Sequence, residues 1–436
     1  MNSKALAIKR ILFTALWIRL TFGFVADEFY TDLEQLSPFM KLLFDAVIVM
    51  LGLITIRKKS DFIIAGIAFA ITGYATLVQN GLDVLFYLNG MRDFIGYIFI
   101  LPIIHYFADN EIRWQGFIKT FDKSLFVFLC LQAFCVIWQF FEYGAGDHGG
   151  GSLGNWHSGI ISTLIFLSSF YLLQKRIDRA HFWTSLKNNS LLIILLFPTT
   201  LNETKVSFVF MVMYFLLLIP IDREALIRIT LAIPILILSL WGAATVYVVS
   251  TGGEMGDVFS LEYYIQGYML AEDDESEKYA QWLVDNDSDE IEDIPRVTKL
   301  LMLSDIYAEN PGTELLGQGV GHFKGGTIVP DSDFFNLYKW LLIGSIPYSF
   351  HVIIQLGFVG LLLTLAFFLY AIFFMKIDMG NGTGPNRNIQ LYVLLTLLLN
   401  YLYIDSMRNS YMMILFLVII AASKTCAIPQ QSNHIE

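Results

Sequence analysis

Residues 39–56 read Phe39-Met-Lys-Leu-Leu-Phe-Asp-Ala-Val-Ile-Val-Met-Leu-Gly-Leu-Ile-Thr-Ile56, and Arg57-Lys58-Lys59 follow at once. As a helix this run is about 27 Å long, close to the thickness of a bilayer's hydrocarbon core. Runs of similar character occupy 11–26, 62–78, 84–107, 125–143, 157–174, 191–201, 206–220, 227–250, 346–375, 389–404 and 411–423. In lipid a continuous apolar run satisfies its backbone only as a helix, so the sequence predicts an all-α membrane protein with about twelve transmembrane helices.

Composition agrees. Of 436 residues 56% are hydrophobic and only 15% charged, with 37 Phe. That is more apolar surface than a soluble core buries, which excludes a water-soluble enzyme of two or three domains. The formal charge of −11 comes mostly from residues 254–293, so it describes one loop, and no nucleic-acid partner is expected. Cys130, Cys135 and Cys426 form neither a disulfide framework nor a metal spacing. The run 11–26 follows Lys4, Lys9 and Arg10 without a small-residue cleavage site, and is read as a retained first helix.

Basic residues set the orientation. Most of the 28 Lys and Arg fall in alternate loops: Lys4/Lys9/Arg10, Arg57/Lys58/Lys59, Arg113/Lys119/Lys123, Lys175/Arg176/Arg179/Lys187, Arg223/Arg228, Lys376/Arg387 and Lys424. Threading the spans puts all of these on the cytoplasmic side of a bacterial inner membrane, both termini included. The chain then divides into helices one to nine (1–250), an extracytoplasmic loop (251–345) and helices ten to twelve (346–436). The loop's first half is acidic; its second half mixes Pro, Gly and aromatics and is expected to be ordered and partly helical.

Cations that break the pattern are more informative. Arg92, Lys205, Arg296, Lys299, Lys324, Lys339 and Arg408 map to the outer half or the outer loop. A cation near a helix end in lipid costs free energy unless an anion offsets it. The run 191–201 reaches only about 17 Å, so the turn Asn202-Glu203-Thr204-Lys205 is drawn below the outer surface. Lys205 there either pairs with Glu203 or helps to bind an anionic group. Several cations at one outer-facing cavity suit a diphosphate: Arg offers phosphate oxygens a planar fork, Lys a compact charge. Arg92, Lys205, Arg296 and Arg408 are the candidates for that role.

The outer loop carries the sharpest local pattern. Arg296-Val-Thr-Lys-Leu-Leu-Met-Leu-Ser-Asp-Ile-Tyr, with Leu300, Leu301, Ser304 and Tyr307 at helical spacing, leads to Asn310-Pro311-Gly312 and Leu316-Gly317-Gln318-Gly319-Val320-Gly321-His322-Phe323. No strand–turn–helix unit surrounds Gly317, Gly319 and Gly321, so they are no dinucleotide fingerprint; they predict a tight turn where backbone approaches something closely. Asp285 to Asp293 alternates like a calcium loop, but lacks the sixth-position Gly and carries Arg296 where the bidentate Glu belongs, so no metal site is expected.

On these motifs, with Gln355-Leu-Gly357-Phe-Val-Gly360-Leu, the turn Gly151-Ser-Leu-Gly154-Asn155-Trp-His157, and Leu201-Asn-Glu-Thr-Lys205, the chain resembles the O-antigen polymerase (Wzy) and O-antigen ligase superfamily. The resemblance implies a GT-C-like fold and a metal-independent glycosyltransferase. It implies transfer of a growing glycan from undecaprenyl diphosphate onto a lipid-linked repeat unit at the outer face, in lipopolysaccharide or related polysaccharide biosynthesis. Its implied partners are the undecaprenyl-diphosphate-linked oligosaccharide and membrane lipid, with room for a chain-length regulator protein; no cofactor is implied. Such chemistry needs cations for the departing diphosphate and a base for the acceptor hydroxyl. His322 leads as base because imidazole titrates near neutrality, with Asp331, Asp333 and Glu203 behind it. Lys205 in place of the ligases' Arg, and Ile346-Pro347 in place of their His-Asn pair, favour polymerase over ligase; His351 is displaced by five residues from that pair. A lipid-linked oligosaccharide flippase is the alternative from another class.

Overall fold

The computed structural model describes residues 3–80, 84–144, 149–155, 157–201, 206–219, 296–325, 329–342, 344, 346–377 and 386–425. The ninth predicted span, the acidic half of the loop, Glu203 and Lys205 lie outside them. Among the described residues every regular element is helical: α1 Ser3–Phe29, α2 Ser37–Thr55, α3 Lys59–Asn80, α4 Val84–Met91, α5 Ile95–Ala108, α6 Glu111–Tyr143, α7 Ser158–Arg176, α8 Phe182–Asn188, α9 Ser190–Ile194 and α10 Val206–Leu218. The described part of the loop holds α11 Arg296–Leu301, α12 Leu303–Glu309 and α13 Asp333–Tyr338; α14 Tyr348–Leu369, α15 Arg387–Tyr403 and α16 Ser410–Ser423 follow.

Among the described residues five segments are long and apolar enough to cross a membrane: Ser37–Thr55, Lys59–Leu77, Val84–Ala108, Glu111–Tyr143 and Tyr348–Phe374. Their large side chains point outward as readily as inward. Leu43, Leu53, Phe62, Phe141 and Leu362 are exposed, which a chain surrounded by water does not sustain in such number. The centre of the bundle is α5 and α16, buried along their whole lengths, with α7 beside them. Helix α5 packs against α2, α3, α6 and α16, and α7 against α6, α10 and α15.

Residues of three of the basic loops meet at one end of this bundle. Lys9 Nζ donates to Gly116 O at 3.1 Å and Thr120 Oγ1 at 3.0 Å, Lys58 pairs with Asp109 at 3.1 Å, and Arg57 and Arg113 both face the Tyr106 ring. Trp114 Nε1 donates to Thr425 Oγ1 at 3.0 Å, which brings the segment after α16 to the same end. The described part of the loop packs at the other end, where Leu303, Ile306, Tyr307, Phe323 and Tyr338 form a second core with Phe350, Ile353 and Ile354 of α14.

Two apolar runs that read as continuous spans are broken. Run 84–107 is interrupted by a 3-10 turn, Arg92–Phe94, between α4 and α5. Run 346–375 breaks at Gly357, whose φ of +62° is not helical. The loop fills this second break. Gln318 N donates to Ile354 O at 2.8 Å and Gly319 N to Gln355 O at 3.0 Å. On the far side Phe358 N donates to Glu314 O and Val359 N to Leu315 O, each at 3.0 Å. A broken helix at membrane depth is tolerable only if its freed backbone groups find such partners. The short run 191–201 is not one continuous helix: α9 stops at Ile194, and Pro198 sits in a 3-10 turn, Phe197–Thr200, while the turn 202–205 lies outside the described residues.

Candidate functional site: a buried ionic cluster at the loop end of the bundle

The cluster begins at the 3-10 turn. Leaving α4 after Met91, the chain turns Arg92 and Asp93 in different directions and re-enters helix at Ile95. Asp93 is almost wholly buried, 1% exposed, and is the anion on which three other segments converge. Lys324 of the loop places Nζ 2.8 Å from Asp93 Oδ1, His351 of α14 places Nε2 3.3 Å from Oδ2, and Arg408 of the α15–α16 turn lies 3.6 Å from Oδ2. Lys324 Nζ also donates to Asn89 O at 3.0 Å, and Arg408 pairs with Asp405 at 2.9 Å.

Arg92 points the other way, donating through Nε to Asp45 Oδ2 of α2 at 3.2 Å, while Ser410 Oγ donates to Asp45 Oδ1 at 3.0 Å. Lys41, one turn before Asp45, lies within electrostatic reach of Asp93, Lys324, Arg408 and Asp45. Four cations thus face three carboxylates, Asp45, Asp93 and Asp405, leaving a surplus of positive charge among the described residues. Buried ion pairs of this kind hold together when each charge has a close partner, as Arg92, Lys324 and Arg408 have here.

Burial lowers the pKa of the Lys324 ammonium, with Asp93 opposing that and Arg408 adding to it. Burial also works against the charge on Arg408, but Asp93 and Asp405 more than compensate, and its pKa stands above the ordinary value. Arg408 Nε is buried with no hydrogen-bond partner among the described residues. That N–H is therefore left over among the described residues, while Nη1 and Nη2 face Asp405 and Asp93.

The glycine motif is what delivers Lys324. Gly317, Gly319 and Gly321 all have left-handed φ, at +72°, +91° and +93°. A Cβ on Gly321 would stand 2.0 Å from Phe86 O, and one on Gly90 would stand 2.1 Å from Gly321 N, so loop and α4 touch backbone to backbone. Gly321 N donates to Gln355 Oε1 at 3.1 Å, and the Gln355 amide in turn contacts His351. The close approach read from the glycines is to the protein's own helices α4 and α14, and it seats Lys324 against Asp93.

Of the sequence candidates, Arg92 and Arg408 meet at this cluster. Arg296 is engaged at its own position: Nε donates to Tyr403 O at 3.1 Å and the guanidinium stacks 3.8 Å from the Tyr403 ring centroid. It grips the end of α15, two residues before Asp405. His322 is buried and stacks on Phe86 with centroids 4.9 Å apart, while its carbonyl accepts from Ser332 Oγ at 2.6 Å. Asp331 and Asp333 are exposed. Asp333 sits in the first turn of α13, where a carboxylate complements the helix dipole and Ser332 caps the Phe335 N–H.

Asp45, Asp93, Lys41 and His351 do not stand out as site residues in the sequence. A signal exists for three of them. Lys41 and Asp45 are four apart inside an apolar run, and Asp93 adjoins Arg92 inside another; ionisable residues in such places mark function by default. The pairing itself is not legible there, since Asp93 joins Lys324, His351 and Arg408 only through packing. No protein-family model matches the chain, and no curated protein matches it.

Proposed function

We propose that the chain is a polysaccharide polymerase, moving a growing glycan from undecaprenyl diphosphate onto a lipid-linked repeat unit at the outer face of a bacterial inner membrane. The observation that carries this reading is the convergence of Lys41, Arg92, Lys324 and Arg408 at the bundle end opposite the basic loops. A departing diphosphate needs preorganised cations, and such groups act most strongly where water is excluded. The surplus positive charge and the Arg408 Nε–H that has no partner among the described residues are what an incoming diphosphate would meet. The finer topology belongs to the same proposal: about twelve spans, a GT-C-like arrangement, both termini cytoplasmic and the cluster facing outward. The grouping of Lys9, Lys58, Arg57 and Arg113 at one end supports it.

For the base, His351 joins His322 as a candidate, because Asp93 orients its ring as a carboxylate orients a catalytic histidine. Acting so requires the Gln355 contact to open, since that amide covers the ring.

Deleting the gene and separating surface glycans by size tests the reading. Loss of the polymer ladder with single-unit product retained is expected. Polymer retained on the lipid carrier but missing from the surface would make the chain a ligase, and an unchanged ladder would end the proposal.

A further inference from the structure

At the bundle end opposite the ionic cluster, Tyr106 in the last turn of α5 is buried, and two guanidiniums close on its ring. Arg57 Cζ, from the link between α2 and α3, lies 5.0 Å from the ring centroid; Arg113 Cζ, in the first turn of α6, lies 4.7 Å from it. Both distances end on one point, so the two charges stand no more than about 10 Å apart, within one Debye length. A third cation joins them. Residues 113, 116 and 120 share one face of α6, and Lys9 of α1 donates to Gly116 O and Thr120 Oγ1 on that face. The carboxylates of these segments are occupied elsewhere: Asp109 by Lys58, Asp61 by His105 and Asp122 by Lys175, while the exposed Glu111 accepts from Gln115. Among the described residues Lys9, Arg57 and Arg113 take part in no ion pair.

The basic bias of such loops requires charge alone. It does not require two rotamer-rich side chains to be ordered on one ring, which costs conformational entropy and brings like charges together. A shared anion offsets both. The spans ending at Thr55 and Ala108 and those beginning at Lys59 and Glu111 put these cations where hydrocarbon gives way to head groups. Leu53, Ile54, Phe62 and Ile112 are exposed at the same span ends. An anion met at that level is one that a lipid carries.

We infer that Arg57 and Arg113, with Lys9 beside them, bind the phosphate of an anionic phospholipid in the leaflet at this end of the bundle. The site is separate from the Asp93 cluster and stands or falls independently of the polymerase reading. Each guanidinium offers phosphate oxygens a planar fork, and stacking on Tyr106 fixes the plane of that fork in advance. Two forks and an ammonium suit more than one phosphate, so cardiolipin, with two phosphodiesters, is preferred to phosphatidylglycerol, with one. Phosphatidylethanolamine brings its own ammonium, which the three cations repel.

The test is native mass spectrometry of the full chain in detergent, titrated with each of these three lipids, reading the affinity for the first lipid bound. Cardiolipin is expected to bind most tightly and phosphatidylethanolamine least. Arg57→Ala and Arg113→Ala are each expected to weaken cardiolipin binding about five-fold, and the double variant about thirty-fold. The control pair Arg10→Ala/Lys59→Ala removes two exposed charges from the same basic loops and leaves both guanidiniums on the Tyr106 ring. Exposed charges are largely screened, so this pair is expected to lose less than Arg57→Ala alone. Glycerol phosphate in millimolar excess is expected to leave bound cardiolipin in place.

Equal affinity for phosphatidylethanolamine, or a control pair as damaging as the arginine pair, would overturn the assignment. Displacement of cardiolipin by glycerol phosphate would overturn it too, by making the ligand a soluble phosphate. If the alanine variants do not accumulate, Arg57→Lys/Arg113→Lys decides. That variant keeps both charges and loses the forks, so it is expected to bind cardiolipin about five-fold more weakly, and affinity equal to the parent's would overturn the forked site.

Discussion

Replacing Asp93 with Asn keeps the volume of the side chain and removes the charge on which Lys324, His351 and Arg408 converge. Lys324 Nζ stands 2.8 Å from the carboxylate. At an effective dielectric constant near 20 such an ion pair is worth about 6 kcal/mol before desolvation is counted. Removing the carboxylate also removes its own burial cost, and Arg408 keeps Asp405, so the net destabilisation falls to about 3–5 kcal/mol, the range for removing one partner of a buried pair. For a chain of this size that is a fall in melting midpoint of about 5 °C. The assay is thermal melting of the purified protein in detergent, followed by size-exclusion fluorescence. Lys324→Met on its own leaves Asp93 with Arg408 and His351, whereas the double variant Asp93→Asn/Lys324→Met removes the uncompensated ammonium. The double variant is therefore expected to melt above Asp93→Asn, with a coupling of about 1–3 kcal/mol. An Asp93→Asn protein that melts with the parent, or a double variant whose losses simply add, would show that Asp93 does not organise the cluster.

The lowered pKa of Lys324 gives a pH dependence with a defined sign: its charge is lost at lower pH than an ordinary lysine's, so diphosphate binding should weaken on the alkaline side while Arg92 and Arg408 remain charged. Titrating binding from neutral to alkaline pH checks this, and Lys324→Arg should flatten the alkaline limb; an unchanged limb removes Lys324 from the binding set. Gly321→Ala forces a Cβ toward Phe86 O and a left-handed backbone, costing about 2–5 kcal/mol together, and should reduce membrane abundance and polymer alike; normal levels of both would contradict the docked loop. Arg296→Lys keeps the charge but loses the planar stack on Tyr403, so polymer output should stay close to that of Arg296→Ala, and full rescue by Lys would show that charge alone matters.

Much of the architecture is legible without coordinates. Hydropathy and loop charge are local quantities, and lipid leaves a continuous apolar run no option but a helix. Lys9, Lys58 and Arg113, from three of the basic loops, lie together at one end, and the helix of run 191–201 stops at Ile194, ahead of Pro198. The left-handed glycines 317, 319 and 321 announce a close backbone approach, because residue type alone sets what φ a position tolerates. Hydropathy does not show the breaks at Arg92–Phe94 and Gly357, since an apolar run reads the same whether or not another segment supplies its hydrogen bonds. Nor does it show which of the stray cations meet. Arg92, Lys324 and Arg408 are far apart in the chain, and what joins them is Asp93 and Asp45, held where α2, the α4–α5 turn, the loop and the α15–α16 turn pack together. Arg296 looks equivalent in sequence, yet packing turns it onto Tyr403. Individual charges are properties of residues, whereas an ionic cluster is a property of packing, and only the tertiary structure decides which charges share one dielectric environment.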